Sequence, residues 1–434
     1  MKLGPADNSG RTTMSSKLQS LRRWRVLGLF LALSALAALT AASISQASRR
    51  DTVTVTFQEQ FGDAESTEMA ALVKQFEAAN PNINIQLVRD NDSSYYDKLV
   101  TQIIGGGGPD IARVEPPKAV QYITAQYVAP LDQWFPKSAR SQFFPSTVGP
   151  LVRGGKLYGL PQDVATLVLF YRTDLFKAAG ITHAPTTWPE LAADAKKLTT
   201  AGRYGIGLFG GWGAFEFYPW LWESGAQVLK PNGDKMAAAF NSPAGVSALQ
   251  FWTNLENQKL MPPGAATLTE DDVKGPFIAG KLAMFTSGPW SVGSLKTAGI
   301  KGKWSVAPLP KGKERASVLG GLDVVVLNNS KHKAEAAKFL AWLYQDKIQS
   351  GWDRALGFIP VKKTLYSTPA FKNNPLSKQF YASLQISRSR PVVPQAAQVD
   401  NALGQAVQSA LSGAQTPQAA LDAAAKTAND ALSH

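Results

Sequence analysis

Cysteine is absent from the 434 residues, so the chain has no disulfide, no thiolate metal ligand and no cysteine nucleophile. Stability must come from buried apolar surface, and a composition that is 44% hydrophobic and 10% aromatic supplies enough for two cores. Histidine is scarce: His183 in a loop, His332 at a helix start and the terminal His434 are the three present. There is no His-x-x-x-His, Gly-x-Ser-x-Gly or cysteine-histidine pairing, so the common hydrolase and metalloenzyme motifs are missing, and neither a metal nor a cofactor is expected. Carboxylate-only chemistry such as glycoside hydrolysis leaves no sequence signature and stays open. Basic runs are missing too. Of the +13 formal charge, much sits in residues 1 to 47, where Lys2, Arg11, Lys17, Arg22, Arg23 and Arg25 face one acid, Asp7. The remaining 39 basic and 31 acidic residues are scattered, which gives no nucleic-acid face.

What is there begins with a polar stretch, the basic Arg22, Arg23 and Arg25, and a 17-residue apolar run over residues 26 to 42. Ser45-Gln46-Ala47 offers small residues around a cut after Ala47, so residues 1 to 47 read as a secretory signal peptide. An uncleaved membrane anchor is the alternative, because the run reaches the lower limit for spanning a bilayer. The Arg22-Arg23 pair leaves the export route open. No cysteine follows the run, which excludes a lipoprotein anchor.

Val53, Val55 and Phe57 then alternate as a strand, and Met69, Leu72, Val73 and Phe76 step as a helix that Asn80-Pro81 ends. Ile83, Ile85 and Leu87 form a second strand. A unit of this size implies a parallel sheet with a right-handed crossover, and a doubly wound sheet binds ligands beyond the carboxyl ends of its strands. A helix over Tyr96, Leu99, Val100 and Ile103 stops at Gly105 to Gly108. Those glycines precede Pro109 and a strand rather than Gly-Lys-Ser/Thr and a helix, so they read as a helix stop and not as a phosphate loop. Residues 210 to 222 are the densest aromatic stretch, with Trp220 and Trp222 on a helix and Trp212 and Phe215 in its Gly-rich entry. Glu270-Asp271-Asp272 reads as a solvated helix start. Ser330 is the expected cap of a helix bearing Phe339, Leu340, Trp342 and Leu343, and the Ala- and Gln-rich stretch from Val399 reads as a helical pair on the second lobe.

The organising stretch runs from Gly275 to Leu343: Gly-Pro-Phe-Ile-Ala-Gly-Lys-Leu-Ala-Met-Phe-Thr-Ser-Gly-Pro-Trp, then Gly-Lys-Trp-Ser-Val-Ala-Pro-Leu-Pro-Lys-Gly, then Gly-Gly-Leu-Asp-Val-Val-Val-Leu. With Gly159-Leu160-Pro161-Gln162-Asp163 and Gly357-Phe358-Ile359-Pro360 in this order, the chain resembles the extracellular solute-binding proteins of sugar ABC transporters, the maltose-binding-protein-like family. That resemblance implies an α/β periplasmic-binding-protein-like fold, with two doubly wound lobes joined by a hinge around a ligand cleft. It places residues 48–163 plus 309–359 in lobe 1 and residues 164–308 plus 360–434 in lobe 2. It further implies a monomeric, non-enzymatic carrier in the periplasm or at the cell surface, which passes a carbohydrate to ABC permease subunits and binds no nucleic acid.

Sugars present hydroxyl edges and apolar faces, so their sites interleave Asp, Glu, Arg and Gln with aromatic rings. By the resemblance Trp290, after Gly288-Pro289, is the sugar-stacking residue, unless it packs on its own loop. Gln58 and Glu59 after the first strand, Arg113 and Glu115 after the strand that Pro109-Asp110 opens, Asp163 at the first crossing, and Trp212, Phe215 and Asp323 in cleft-lining loops are the other expected contacts, with Arg354 beside Trp352 before the last crossing. Asp163 alternatively serves the hinge, and Asp323 alternatively begins a strand. The chain lacks the Trp-x-x-Asp-Arg run that maltose-binding members carry after the segment matching Pro109-Asp110-Ile111, so maltose specificity is not implied. The expected ligand is an oligosaccharide of maltose or trehalose type. The alternatives are a glycerol phosphoryl compound or another non-sugar solute, and a carboxylate-dependent carbohydrate-active enzyme.

Overall fold

The computed structural model describes residues 52–91 and 94–433, together with Met1 and Gly4. The signal region expected over residues 1 to 47 therefore lies outside the described residues, Met1 and Gly4 aside.

Two sheets carry the fold. The first has five strands in the order Ile83–Arg89, Val53–Glu59, Ile111–Val114, Asp323–Val326, Gly159–Pro161. Val53–Glu59 and Ile111–Val114 run parallel, with Phe57 opposite Ile111 and Gln58 opposite Ala112. Asp323–Val326 joins antiparallel to both its neighbours. The helix Asp63–Ala79 buries Met69, Leu72, Val73 and Phe76, the face that the periodicity marks. Phe76 meets Phe339 of the helix Lys333–Leu343 at 5.1 Å between ring centres. The turn into Ile111 is held by Asp110, whose carboxylate accepts from the Thr56 amide at 2.8 Å and from Ser330 Oγ at 2.6 Å. Ser330 is thus spent on Asp110 and on the His332 amide, and His332, two residues later, takes the N-cap position of the helix instead of Ser330.

The second sheet has four strands in the order Ser305–Ala307, Val168–Tyr171, Leu282–Ser287, Tyr204–Gly207. Its core gathers Ile206, Phe217, Trp220, Trp252 and Met284 with Val399, Leu403 and Leu421 of the helices Ala396–Leu411 and Pro417–Leu432. Trp188 stacks on Phe251 at 4.9 Å, and Trp220 lies beside the same ring at 5.7 Å. The aromatic-rich sequence around residue 220 is therefore mostly core.

A third sheet of three short strands, Ser387–Arg388, Ser317–Gly320 and Ala165–Thr166, lies where the chain passes between the other two. Ala165–Thr166 links Gly159–Pro161 to Val168–Tyr171, and Ser317–Gly320 leads from the second sheet into Asp323–Val326. Its interior is a row of hydroxyls: Thr166 Oγ1 meets Ser317 Oγ at 2.8 Å and Ser387 Oγ at 2.6 Å. After residue 360 the chain still touches the first lobe, since Lys362 bridges Phe143 and the Lys363 amide donates to Gln142.

Candidate functional site

The carboxyl ends of both sheets open on one cleft of about 640 Å³, within the size range of small-molecule sites. The first lobe contributes Gln60, Glu65, Arg113 and Glu115; the crossing contributes Asp163 and Gly320–Leu322; the second lobe contributes Trp212, Phe215, Glu270, Lys274 and Trp290. Arg390 lines it as well.

Arg113, at the end of its strand, is almost fully buried. Its Nη2 donates to Glu65 Oε1 at 2.8 Å and to the Asp163 carboxylate, and its guanidinium lies 4.5 Å from the Phe61 ring centre. Burial alone would lower its pKa, but Asp163 and Glu65 outweigh that and raise it. The other oxygen of Asp163 accepts from the Leu322 amide at 3.0 Å, so this carboxylate ties the first lobe to the crossing strand. Glu115 stands at the N-terminus of the helix Pro116–Thr124, which orients it toward Arg390.

On the opposite wall the three rings group together. Trp290 lies 6.1 Å from Trp212 and 6.4 Å from Phe215, and Trp212 is 43% exposed. The Trp290 ring folds back over Gly288, where a Cβ would stand 2.0 Å from it. Its indole N–H donates to Glu270 Oε2 at 2.5 Å. The other oxygen of Glu270 accepts from Ser287 at 3.0 Å and from Ser291. The acidic trio is therefore not a uniformly solvated helix start. Asp272 does cap Thr269, and Asp271 is exposed, but Glu270 is buried because three donors and Lys274 surround it.

Six expected residues thus line the cleft together: Arg113, Glu115, Asp163, Trp212, Phe215 and Trp290. Four do not. Gln58 and Glu59 remain inside the sheet, because the strand runs through residue 59, and Gln60 is the first side chain past its end. Glu59 accepts from the Phe61 amide, and burial raises its pKa against that hydrogen bond. Asp323 begins its strand, is buried, and lines a much smaller cavity behind the cleft; burial, then Asp163, push its carboxyl well up. Arg354 lies on the surface of the helix Asp346–Leu356 and donates to Ser350, while Trp352 is core against Phe61 and Phe358.

Sequence reasoning did not single out Gln60, Glu65, Lys274 or Arg390. Glu65 carried one signal, since it stands three residues after Gly62 and its carboxylate accepts from that amide at 2.9 Å. Arg390 carried none, because its role depends on Glu115 and Asp400 reaching it from elsewhere.

In the cleft wall five carboxylates, Glu65, Glu115, Asp163, Glu270 and Asp271, stand against three cations, Arg113, Lys274 and Arg390. Each of the three cations is already paired: Arg113 with Glu65 and Asp163, Lys274 with Asp271 at 2.6 Å, Arg390 with Glu115 at 3.1 Å and Asp400 at 2.9 Å. Among the described residues no histidine lines the cleft, and no group of acids or histidines is arranged to hold a metal ion.

Two α/β lobes, joined by short crossing strands around a polar and aromatic cleft, define a two-lobed binding protein. Residues 61–350 match the family of bacterial extracellular solute-binding proteins, and the chain belongs to that family. It is a substrate-binding protein, not an enzyme. Among solved structures it is similar to the GacH receptor of Streptomyces glaucescens, described unliganded and with acarbose, at 25% identity and a TM-score of 0.82 over 88% of this chain and 98% of that one. Among sequences it is 28% identical to the arabinooligosaccharide-binding protein of Bacillus subtilis over 69% of this chain and 72% of that protein. It is 25% identical to the sn-glycerol-3-phosphate-binding periplasmic protein UgpB of Yersinia pseudotuberculosis over 83% of this chain and 88% of that protein.

Proposed function

We propose that this protein is the extracytoplasmic binding component of an ABC importer and that its cleft captures an uncharged oligosaccharide, of maltose or trehalose type, for delivery to the membrane permease. The observation that carries the reading is the facing of two unlike walls. Trp212, Phe215 and Trp290 offer rings to the apolar faces of sugar units. Gln60, Glu65, Glu115 and Asp163 offer acceptors and donors to the hydroxyl edges opposite.

The same cleft argues against a phosphate-bearing ligand such as the one for which the Yersinia relative is named. A phosphate needs a cation free to pair with it, and here acids outnumber cations while each lining cation is held by carboxylates. Ligand contacts to both lobes bias the equilibrium toward the closed state, and the crossing strands give where the lobes turn.

The test is calorimetric titration and a thermal-shift panel of neutral di- and trisaccharides beside glycerol 3-phosphate, with chromatography of the sugar afterwards. A neutral sugar should bind and be recovered unchanged, and the protein should elute as a monomer. Binding of glycerol 3-phosphate in preference to every sugar would overturn the ligand class, and release of a cleaved product would overturn the carrier role.

A further inference from the structure

Arg390 adds a charged tie between the lobes, beside the crossing strands and the packing of the helix Ala396–Leu411 on the helix Pro116–Thr124. From the segment after Ser387–Arg388 its Nη1 donates to Asp400 at 2.9 Å, on the helix Ala396–Leu411 whose Val399 and Leu403 lie in the second lobe's core. Its Nη2 donates across to Glu115 at 3.1 Å, at the carboxyl end of a first-lobe strand. The guanidinium also lies 5.4 Å from the ring centre of Phe215, on the aromatic wall. Asp400 is itself held by the Tyr218 hydroxyl, so the second-lobe end of this contact is fixed. Glu115 is the more exposed end, with its side chain 44% exposed against 9% for Arg390.

We infer that the Arg390–Glu115 pair is an inter-lobe latch that holds the lobes near each other before ligand arrives and so sets the affinity of the cleft. An opening rotation about the crossing strands must lengthen a contact that spans the two lobes, whereas Arg390–Asp400 lies within one lobe and is untouched by it. The guanidinium serves because its planar fork engages two carboxylates at once, which an ammonium cannot do in the same geometry. A ligand need then supply only the remainder of the bias toward closure.

The inference rests on the two-lobed binding reading, but its test needs no ligand. Because the chain has no cysteine, K74C and Q258C place two spin labels on exposed positions of the two lobes without further change. In the ligand-free parent the inter-label distance should be short and should lengthen as salt screens the pair. Glu115→Gln should lengthen it at low salt and abolish the salt response. Arg390→Lys should reproduce that, and the double variant should go no further than either alone. The affinity of the best sugar should fall roughly two- to fivefold in E115Q. An unchanged ligand-free distance in E115Q overturns the latch, even if sugar binding is lost, since that result would make Glu115 a direct ligand contact. Absence of sugar binding in the parent would overturn the carbohydrate reading, while the distances still judge the latch.

Discussion

Trp290 hangs on Glu270. A ring that is to stack on a sugar must stay in place before the sugar arrives, and the carboxylate that accepts its N–H at 2.5 Å does this from below. Trp290→Ala should therefore weaken binding of the best sugar about thirtyfold, close to 2 kcal/mol for a central aromatic anchor, and should remove most of the ligand-induced change in tryptophan fluorescence; titration followed by emission checks both. Glu270→Gln keeps the shape but exchanges a charged acceptor for a neutral amide, with Ser287 and Ser291 left to share it. Its ligand-free emission should shift and its affinity should fall less than that of W290A. The ring was legible from the Gly-Pro-Trp turn, whereas Glu270 was hidden inside a run of three acids that reads as solvent-facing. Sequence shows a residue's type and its neighbours along the chain, not which one of three adjacent carboxylates has rotated inward to meet donors from another strand.

The crossing strands carry a constraint of their own. Gly321 adopts a φ of +112°, and a Cβ there would stand 2.3 Å from the Asp163 carbonyl oxygen. Gly321→Ala meets both penalties, so it should cost about 1–3 kcal/mol of stability in a denaturant titration and displace Asp163 from the cleft wall. The elements themselves were well marked. The helix Asp63–Ala79 buries the four residues that its period selects, because an amphipathic helix on a sheet has one face to hide. The short strands of the connecting sheet carried no comparable signal. Ala165–Thr166 and Ser387–Arg388 are two residues each and exist because their partners, far away in sequence, pair with them.

At the scale of the whole molecule, buried acids give the protein a pH dependence of stability. Asp353 is fully buried, among the described residues neither of its carboxylate oxygens has a hydrogen-bond partner, and burial first and Asp163 second raise its pKa well above the ordinary aspartate range. Asp323, Glu216 and Glu223 are raised by burial in the same way. A carboxyl held neutral in the folded chain and ionised in the unfolded one binds more protons when folded. Its stabilising contribution is complete below the ordinary carboxylate range and is lost as pH rises toward the raised value. Asp353→Asn should therefore raise the melting temperature by roughly 2–4 °C at pH 8 and by much less at pH 4.5, as scanning calorimetry at the two values can show. A bound sugar at 100 times its Kd should add about 2.7 kcal/mol on top, at either pH.

Composition and periodicity by themselves determined an α/β chain with enough apolar residues for two cores and no thiol chemistry, since these depend on residue type and local spacing, while the resemblance of its segments to the solute-binding family supplied the two lobes and the aromatic cleft residues. Tertiary structure alone decided that Gln58 and Glu59 stay within the sheet while Gln60 reaches the cleft, and that Asp323 and Asp353 are buried carboxyls. It alone brought Arg390 between Glu115 and Asp400. Those outcomes turn on where a strand ends and on which distant charge lies within about 3 Å, and both are fixed only when segments hundreds of residues apart are packed together.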